Sequence, residues 1–263
     1  MPAAQTVTYR RIGDTALQMD VYTPEAGAGL RPGVLFIHGG GWSGGNRSQF
    51  TWHAQELAKA GFVTASASYR LAPAHPYPAA LDDCQAAMRW LRKHAEALLL
   101  DPARLGAFGS SAGGHLVACL GVRDTRLDDD PALSGISSKA QGVVDVHGVH
   151  DFAALNGARL HPTAEAFLGG SLADKPEAWR EASPLAFVDA DTAPMLLVHA
   201  PDDPTVPYAQ STRFADALMA VARPFEFMPT PGSGHGFVYS PENPWTLRVW
   251  PRAVAWLSSW LKP

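Results

Sequence analysis

Gly109-Ser110-Ser111-Ala112-Gly113 comes directly after the apolar run Leu105-Gly106-Ala107-Phe108, and this juxtaposition narrows the folds open to the chain more than any other feature. A serine between two glycines at the end of a buried strand reads as a nucleophile elbow. The strand reverses sharply into a helix, the middle residue is forced into a strained backbone conformation, and neighbouring chain comes too close for side chains two places before and after it. Glycine at 109 and 113 removes both conflicts. The Ser111 hydroxyl is then expected at the top of the sheet, with the Ala112 N–H, at the start of the next helix, aimed where negative charge would develop on an attacked carbonyl.

Two further segments follow the order that such an elbow needs. His38-Gly39-Gly40-Gly41-Trp42 ends a buried-strand run, Pro32 to Ile37, and matches an HGGG oxyanion-hole loop in which Gly40 and Gly41 let the backbone approach an oxyanion and aim N–H groups at it. Pro194 to His199 reads as a second buried strand running into Ala200-Pro201-Asp202-Asp203-Pro204-Thr205-Val206-Pro207, and one of the two aspartates should orient a base. A last short strand, Pro224 to Met228, leads to Gly232-Ser233-Gly234-His235-Gly236, which sets His235 in a glycine-rich turn. Serine, then acid, then histidine is the chain order of α/β-hydrolases and differs from that of the other serine-triad folds.

With these motifs in place the chain resembles α/β-hydrolases of the esterase/lipase group, close to the hormone-sensitive-lipase-like carboxylesterases and more so to the compact feruloyl-esterase-like (BD-FAE) and kynurenine-formamidase-like hydrolases. The resemblance runs from about Ala16 to Trp260. It rests on HGGGW at 38–42, on Ser68-Tyr69-Arg70-Leu71-Ala72-Pro73 and the Tyr77-Pro78-Ala79-Ala80-Leu81-Asp82-Asp83 stretch after it, on Asp101-Pro102-Ala103-Arg104, on the elbow, and on DPTVP at 203–207. Its acid stands three residues before the Val of D-x-x-V-P, so the resemblance implies Asp203 as the acid and Asp202 as its neighbour. It implies a cofactor-independent serine carboxylesterase with Ser111, Asp203 and His235 as the triad and Gly40, Gly41 and Ala112 as the oxyanion hole. Trp42 is a candidate for lining the acyl pocket or anchoring the loop. An arylformamidase would use the same machinery; a non-catalytic binding homologue would commonly have lost a triad member. Hormone-sensitive-lipase-like enzymes carry a helical cap ahead of the first strand, whereas strand-like sequence begins here at Gln5 to Tyr9, which favours the compact subgroup.

The remaining sequence fits one domain over 1–263. Strand-like runs at 5–12, 16–23, 33–38, 62–69, 104–109, 141–147, 194–199 and 224–229 alternate mostly with helices, the clearest over 79–98, where Leu81, Cys84, Met88, Leu91, Ala95 and Leu98 share a face. This predicts a mainly parallel twisted sheet of about eight strands with helices on both faces. The segment 151–193 is too long for a plain connection and reads as a small lid-like insertion.

With 21 Lys plus Arg against 25 Asp plus Glu and a net charge of −4, the chain has no electrostatic reason to bind nucleic acid or an anionic membrane. It shows no apolar stretch of about 20 residues and no signal-like N-terminus, which reads as cytoplasmic with a small-molecule ester as its partner. Nothing in the sequence sets an oligomeric state. Cys84 and Cys119 read as reduced core thiols, and Asp128-Asp129-Asp130 as a solvated loop. Asp82 and Asp83 suit helix capping or pairing, and His115 and His199 suit satisfied structural roles. His147, His150 and Asp151 have a metal-like spacing, but a serine triad needs no metal, so no metal or cofactor is assigned.

Overall fold

The computed structural model describes residues 4–24, 29–128, 130–155 and 158–262. Strands β1 (Gln5–Ile12), β2 (Thr15–Tyr22), β3 (Arg31–Ile37), β4 (Val63–Ala67), β5 (Leu100–Ser110), β6 (Val143–Val146), β7 (Met195–His199) and β8 (Phe225–Pro229) form one sheet in the order β1-β2-β4-β3-β5-β6-β7-β8. The β1/β2 and β2/β4 ladders are antiparallel and the rest are parallel. A mixed sheet with a parallel majority is what the alternating pattern requires.

The pleat divides the core into two layers, because successive side chains of a strand point to opposite faces. Val34 and Phe36 of β3, Phe108 of β5 and Val144 of β6 pack with α1 (Thr51–Lys59) and α8 (Pro244–Leu261). Leu35, Ile37, Leu105 and Ala107 pack on the other face with α2 (Ala79–Lys93), α4 (Ala112–Val122) and α7 (Ala209–Ala220). Central strands buried on both faces account for the unbroken apolar runs in the sequence. Among the described residues no helix is long and apolar enough to cross a membrane.

Two expectations shift in detail. The helix over 79–98 is broken: α2 stops at Lys93 and a four-residue α3 (Ala95–Leu98) follows. At the break His94 stacks on Trp90, and both its backbone N–H, at 3.0 Å, and its Nδ1, at 2.8 Å, reach the Trp90 carbonyl. Leu99 then takes a left-handed turn at φ 52°. Strand β5 is longer than the run 104–109, since Leu100 already pairs with Arg31 before the ladder resumes at Gly33 and Leu105.

Asp82 and Asp83 pair as their residue types suggest. Asp83 is fully buried and accepts from the Arg70 backbone N–H and guanidinium, and from Arg10 at 3.0 Å, while Asp82 meets Arg126. Cys84 and Cys119 are free and buried, and burial pushes the Cys119 thiol up to about 12. Asp128 bonds Arg89, Ser134 and the Gly135 N–H, so this part of the acidic stretch is tied down; Asp129 lies outside the described residues.

The segment 151–193 holds short helical turns and the helices α5 (His161–Leu168) and α6 (Pro176–Ala182), with 156 and 157 outside the described residues. Its Phe167 carbonyl accepts the Tyr77 N–H at 2.7 Å.

Candidate active site

Ser111 sits between β5 and α4 with φ 57° and ψ −121°, a conformation that costs a non-glycine residue roughly 1–3 kcal/mol and persists only when the surroundings hold it. They do so through backbone. A Cβ at Gly113 would lie 2.0 Å from the Ile37 carbonyl oxygen, and one at Gly109 would lie 2.3 Å from the Gly113 carbonyl oxygen. Both glycines are therefore required by close approach. The Ser111 N–H donates to the Val146 carbonyl at 2.8 Å, so the neighbouring strand end fixes the turn.

The chain brings three distant segments to this point. His235 Nε2 lies 3.0 Å from Ser111 Oγ and His235 Nδ1 lies 2.7 Å from Asp203 Oδ2. The other carboxylate oxygen accepts the N–H groups of Thr205 at 2.8 Å and Val206 at 3.0 Å. Burial pushes the Asp203 carboxyl up, but hydrogen bonds from His199 and His235 and from the Thr205 backbone outweigh it and hold the group well below the usual carboxylate range. An ionised carboxylate can only accept. His235 Nδ1 must then carry the proton, which leaves the Nε2 lone pair facing the Ser111 hydroxyl. Asp202 points elsewhere: its carboxylate accepts the Gly232 N–H and the residue is exposed.

The glycine loop arrives beside the elbow. Gly40 has φ 112° and a Cβ there would meet the Gly44 carbonyl at 2.4 Å; Gly41 has φ 57° and faces the Thr163 methyl of α5 at 3.0 Å from where a Cβ would stand. Among the described residues no hydrogen bond engages the N–H of Gly40, Gly41 or Ala112. The Tyr239 hydroxyl donates to the Ser110 carbonyl at 3.2 Å and fills the space over Gly39, where a Cβ would stand 2.0 Å from its oxygen. One side chain thus braces both the elbow and the loop.

Trp42 corrects the acyl-pocket expectation. It is 1% exposed, stacks on Phe167 at 4.5 Å and donates its indole N–H to His115 Nδ1 at 3.0 Å. It anchors the glycine loop to α5 and offers no face to a substrate. His115 Nε2 is 2.7 Å from the Ala182 carbonyl, so its ring is satisfied on both sides.

The H-x-x-H spacing does not converge either. His150 Nε2 bonds Asp145 Oδ2 at 2.5 Å, Asp151 pairs with Arg213 at 2.9 Å, and His147 has neither ring nitrogen bonded. Among the described residues, the His/Cys/Asp/Glu group whose ligand atoms cluster within 4.8 Å is His147, Asp203 and His235, two of which already bond each other.

Sequence reasoning missed the surroundings of Asp203. His199, at the end of β7, is satisfied as expected, yet its Nε2 also lies 3.4 Å from Asp203 Oδ2; His147 Nδ1 lies 3.9 Å from the same oxygen. The position of His199 four residues before Asp203, at a strand end opening into the acid loop, was the available signal.

Comparison with known proteins agrees with this architecture. The chain is 30% identical over 218 residues to the probable carboxylic ester hydrolase LipM of Mycobacterium tuberculosis, covering 80% of this chain and 50% of LipM. It is 32% identical over 213 residues to the esterase LipC of the same organism, covering 78% and 53%. The chain thus spans about half the length of these relatives. Among solved structures, a thermophilic esterase of the planctomycete Thermogutta terrifontis with butyrate bound superposes with a TM-score of 0.86 at 27% identity, covering 100% of this chain and 96% of that one. The fold is that of the α/β-hydrolases. The BD-FAE family model matches residues 19–218, from the second strand through the elbow and the acid loop, and the chain belongs to the BD-FAE family.

Proposed function

We propose that the protein is a serine carboxylesterase acting on short-chain or aryl esters. The observation that carries this reading is the His235 ring, within hydrogen-bond reach of both Ser111 Oγ and the buried Asp203 carboxylate. Ser111 Oγ attacks the ester carbonyl as its proton passes to His235 Nε2. The oxyanion is received by the N–H groups of Gly40, Gly41 and Ala112, each worth about 3–4 kcal/mol of transition-state stabilisation in comparable sites. The tetrahedral intermediate collapses, the His235 proton goes to the leaving alkoxide, and an acyl-enzyme remains. Water then attacks the acyl carbon, giving its proton to His235, which returns it to Ser111 Oγ as the acid leaves. Asp203 keeps the His235 tautomer and offsets the imidazolium charge.

The segment 151–193 acts as a lid in this reading. Support comes from α5, whose Phe167 stacks on Trp42 and whose Thr163 methyl faces Gly41. The butyrate bound to the Thermogutta esterase supports a short acyl group. The experiment is a panel of nitrophenyl esters from acetate to palmitate, assayed beside a feruloyl ester and N-formylkynurenine. Highest kcat/KM on short or aryl esters is expected. Faster turnover of N-formylkynurenine than of any ester would make the protein an arylformamidase instead.

A further inference from the structure

His199 ends β7 with its side chain wholly buried, and both ring nitrogens are engaged. Nδ1 lies 2.7 Å from Ser211 Oγ on α7; Nε2 lies 3.0 Å from the Val206 carbonyl oxygen and 3.4 Å from Asp203 Oδ2. A carbonyl and an ionised carboxylate can only accept. The proton of a neutral His199 is therefore on Nε2, and Nδ1 accepts from the Ser211 hydroxyl. Its N–H divides between the Val206 carbonyl and the same carboxylate oxygen that accepts the His235 Nδ1–H hydrogen bond.

We infer that His199 is a positioning residue for Asp203, the inner member of a chain Ser211, His199, Asp203, His235, Ser111 whose hydrogen bonds converge from both ends on the Asp203 carboxylate. The inference rests on the esterase reading for its kinetic consequence. With the Thr205 and Val206 N–H groups on Oδ1 and His199 on Oδ2, the carboxylate plane is held from both ends. Facing this group are His147 from the end of β6, His235 from the turn after β8 and Tyr208 ahead of α7, whose ring stands 5.5 Å from that of His199. Burial keeps His147 neutral, because it lowers its pKa well below the usual histidine value. Removing the His199 donor leaves Oδ2 more basic, so it draws the His235 proton more strongly and stabilises the imidazolium.

The test compares wild type with His199→Phe, with the double variant His199→Phe/Ser211→Ala, which removes both ends of the buried Ser211 contact should the single variant fail to fold, and with His199→Gln, which keeps an N–H donor. The direct readout is the titration of His235 by NMR, which needs no turnover. The Phe variants are expected to move it up by about one pH unit, and the acid limb of kcat/KM with it. Their kcat per labelled active site falls about 10–100-fold while KM stays within about twofold, the scale on which hydrogen-bonded supporting groups act. His199→Gln recovers most of the loss. A folded Phe variant with the His235 titration of wild type would overturn the inference, since a merely structural role lowers the folded fraction and leaves that titration in place. Failure of wild type to react with a fluorophosphonate at Ser111 would defeat the esterase reading alone, and the NMR shift would still decide this one.

Discussion

The indole N–H of Trp42 donates to His115 Nδ1 at 3.0 Å, joining the glycine loop to the helix that begins one residue after Ser111. His115 in turn is 2.7 Å from the Ala182 carbonyl of α6, so loop, elbow helix and the segment 151–193 share one buried staple. Trp42→Phe keeps the stacking on Phe167 but orphans a buried acceptor. A loss of about 1–3 kcal/mol is expected, read as a lower urea midpoint at unchanged m-value.

Asp203→Asn should lower kcat by roughly three to four orders of magnitude, because an amide can present its N–H to His235 Nδ1 and impose the wrong tautomer. Asp202→Asn removes only an exposed contact to the Gly232 N–H and should stay within about threefold. Assays of both variants at the pH optimum decide between them; comparable losses would place the acid wrongly.

Stability should fall on the acid side through buried histidines. Burial lowers the pKa of His53 and of His115 to about 3 and that of His38 to about 4. A depressed folded-state pKa means the unfolded chain binds the proton first, so the contribution is complete above about pH 6.5 and is lost as pH falls toward 3, at up to about 1.4 kcal/mol per pH unit for each group. His53 is the cleanest case, since neither of its ring nitrogens has a partner. His53→Leu is expected to flatten the dependence of Tm on pH between 6.5 and 4 without loss at pH 8. An unchanged slope would contradict it.

Much of the site could be read from the sequence because its constraints are local. Gly109 and Gly113 are dictated by carbonyls 2.3 and 2.0 Å from where a Cβ would stand, and only a tight elbow asks for glycine at both. Only the resemblance to proteins with D-x-x-V-P selects Asp203 over Asp202, and it is Asp203 that bonds His235. What could not be read depends on long-range packing. Trp42 looked as suited to a pocket as to an anchor until Phe167, more than a hundred residues on, was seen to cover it. The break at His94, where the ring folds back on Trp90, leaves no mark on a well-patterned helical run. His199 looked merely satisfied, since its second contact depends on how the acid loop folds back over the strand end.

Chain-length preference should be short and metal-independent. Each CH₂ that cannot be buried forgoes about 0.8 kcal/mol of binding, so kcat/KM should fall from butyrate toward palmitate, and excess EDTA should leave it unchanged. A steady rise toward palmitate would require a deep acyl tunnel, and loss of activity in EDTA would point to a metal at the cluster of His147, Asp203 and His235.

The central claim is that Ser111 is the nucleophile, and intact-mass and peptide analysis after treatment with a fluorophosphonate tests it most directly. One adduct per chain, on the Ser111 peptide, is expected, with ester hydrolysis lost in step. Ser111→Ala should fold, take up no label and show no turnover, and Ser110→Ala should keep most of both. Labelling at another residue, or an active Ser111→Ala, would contradict the account.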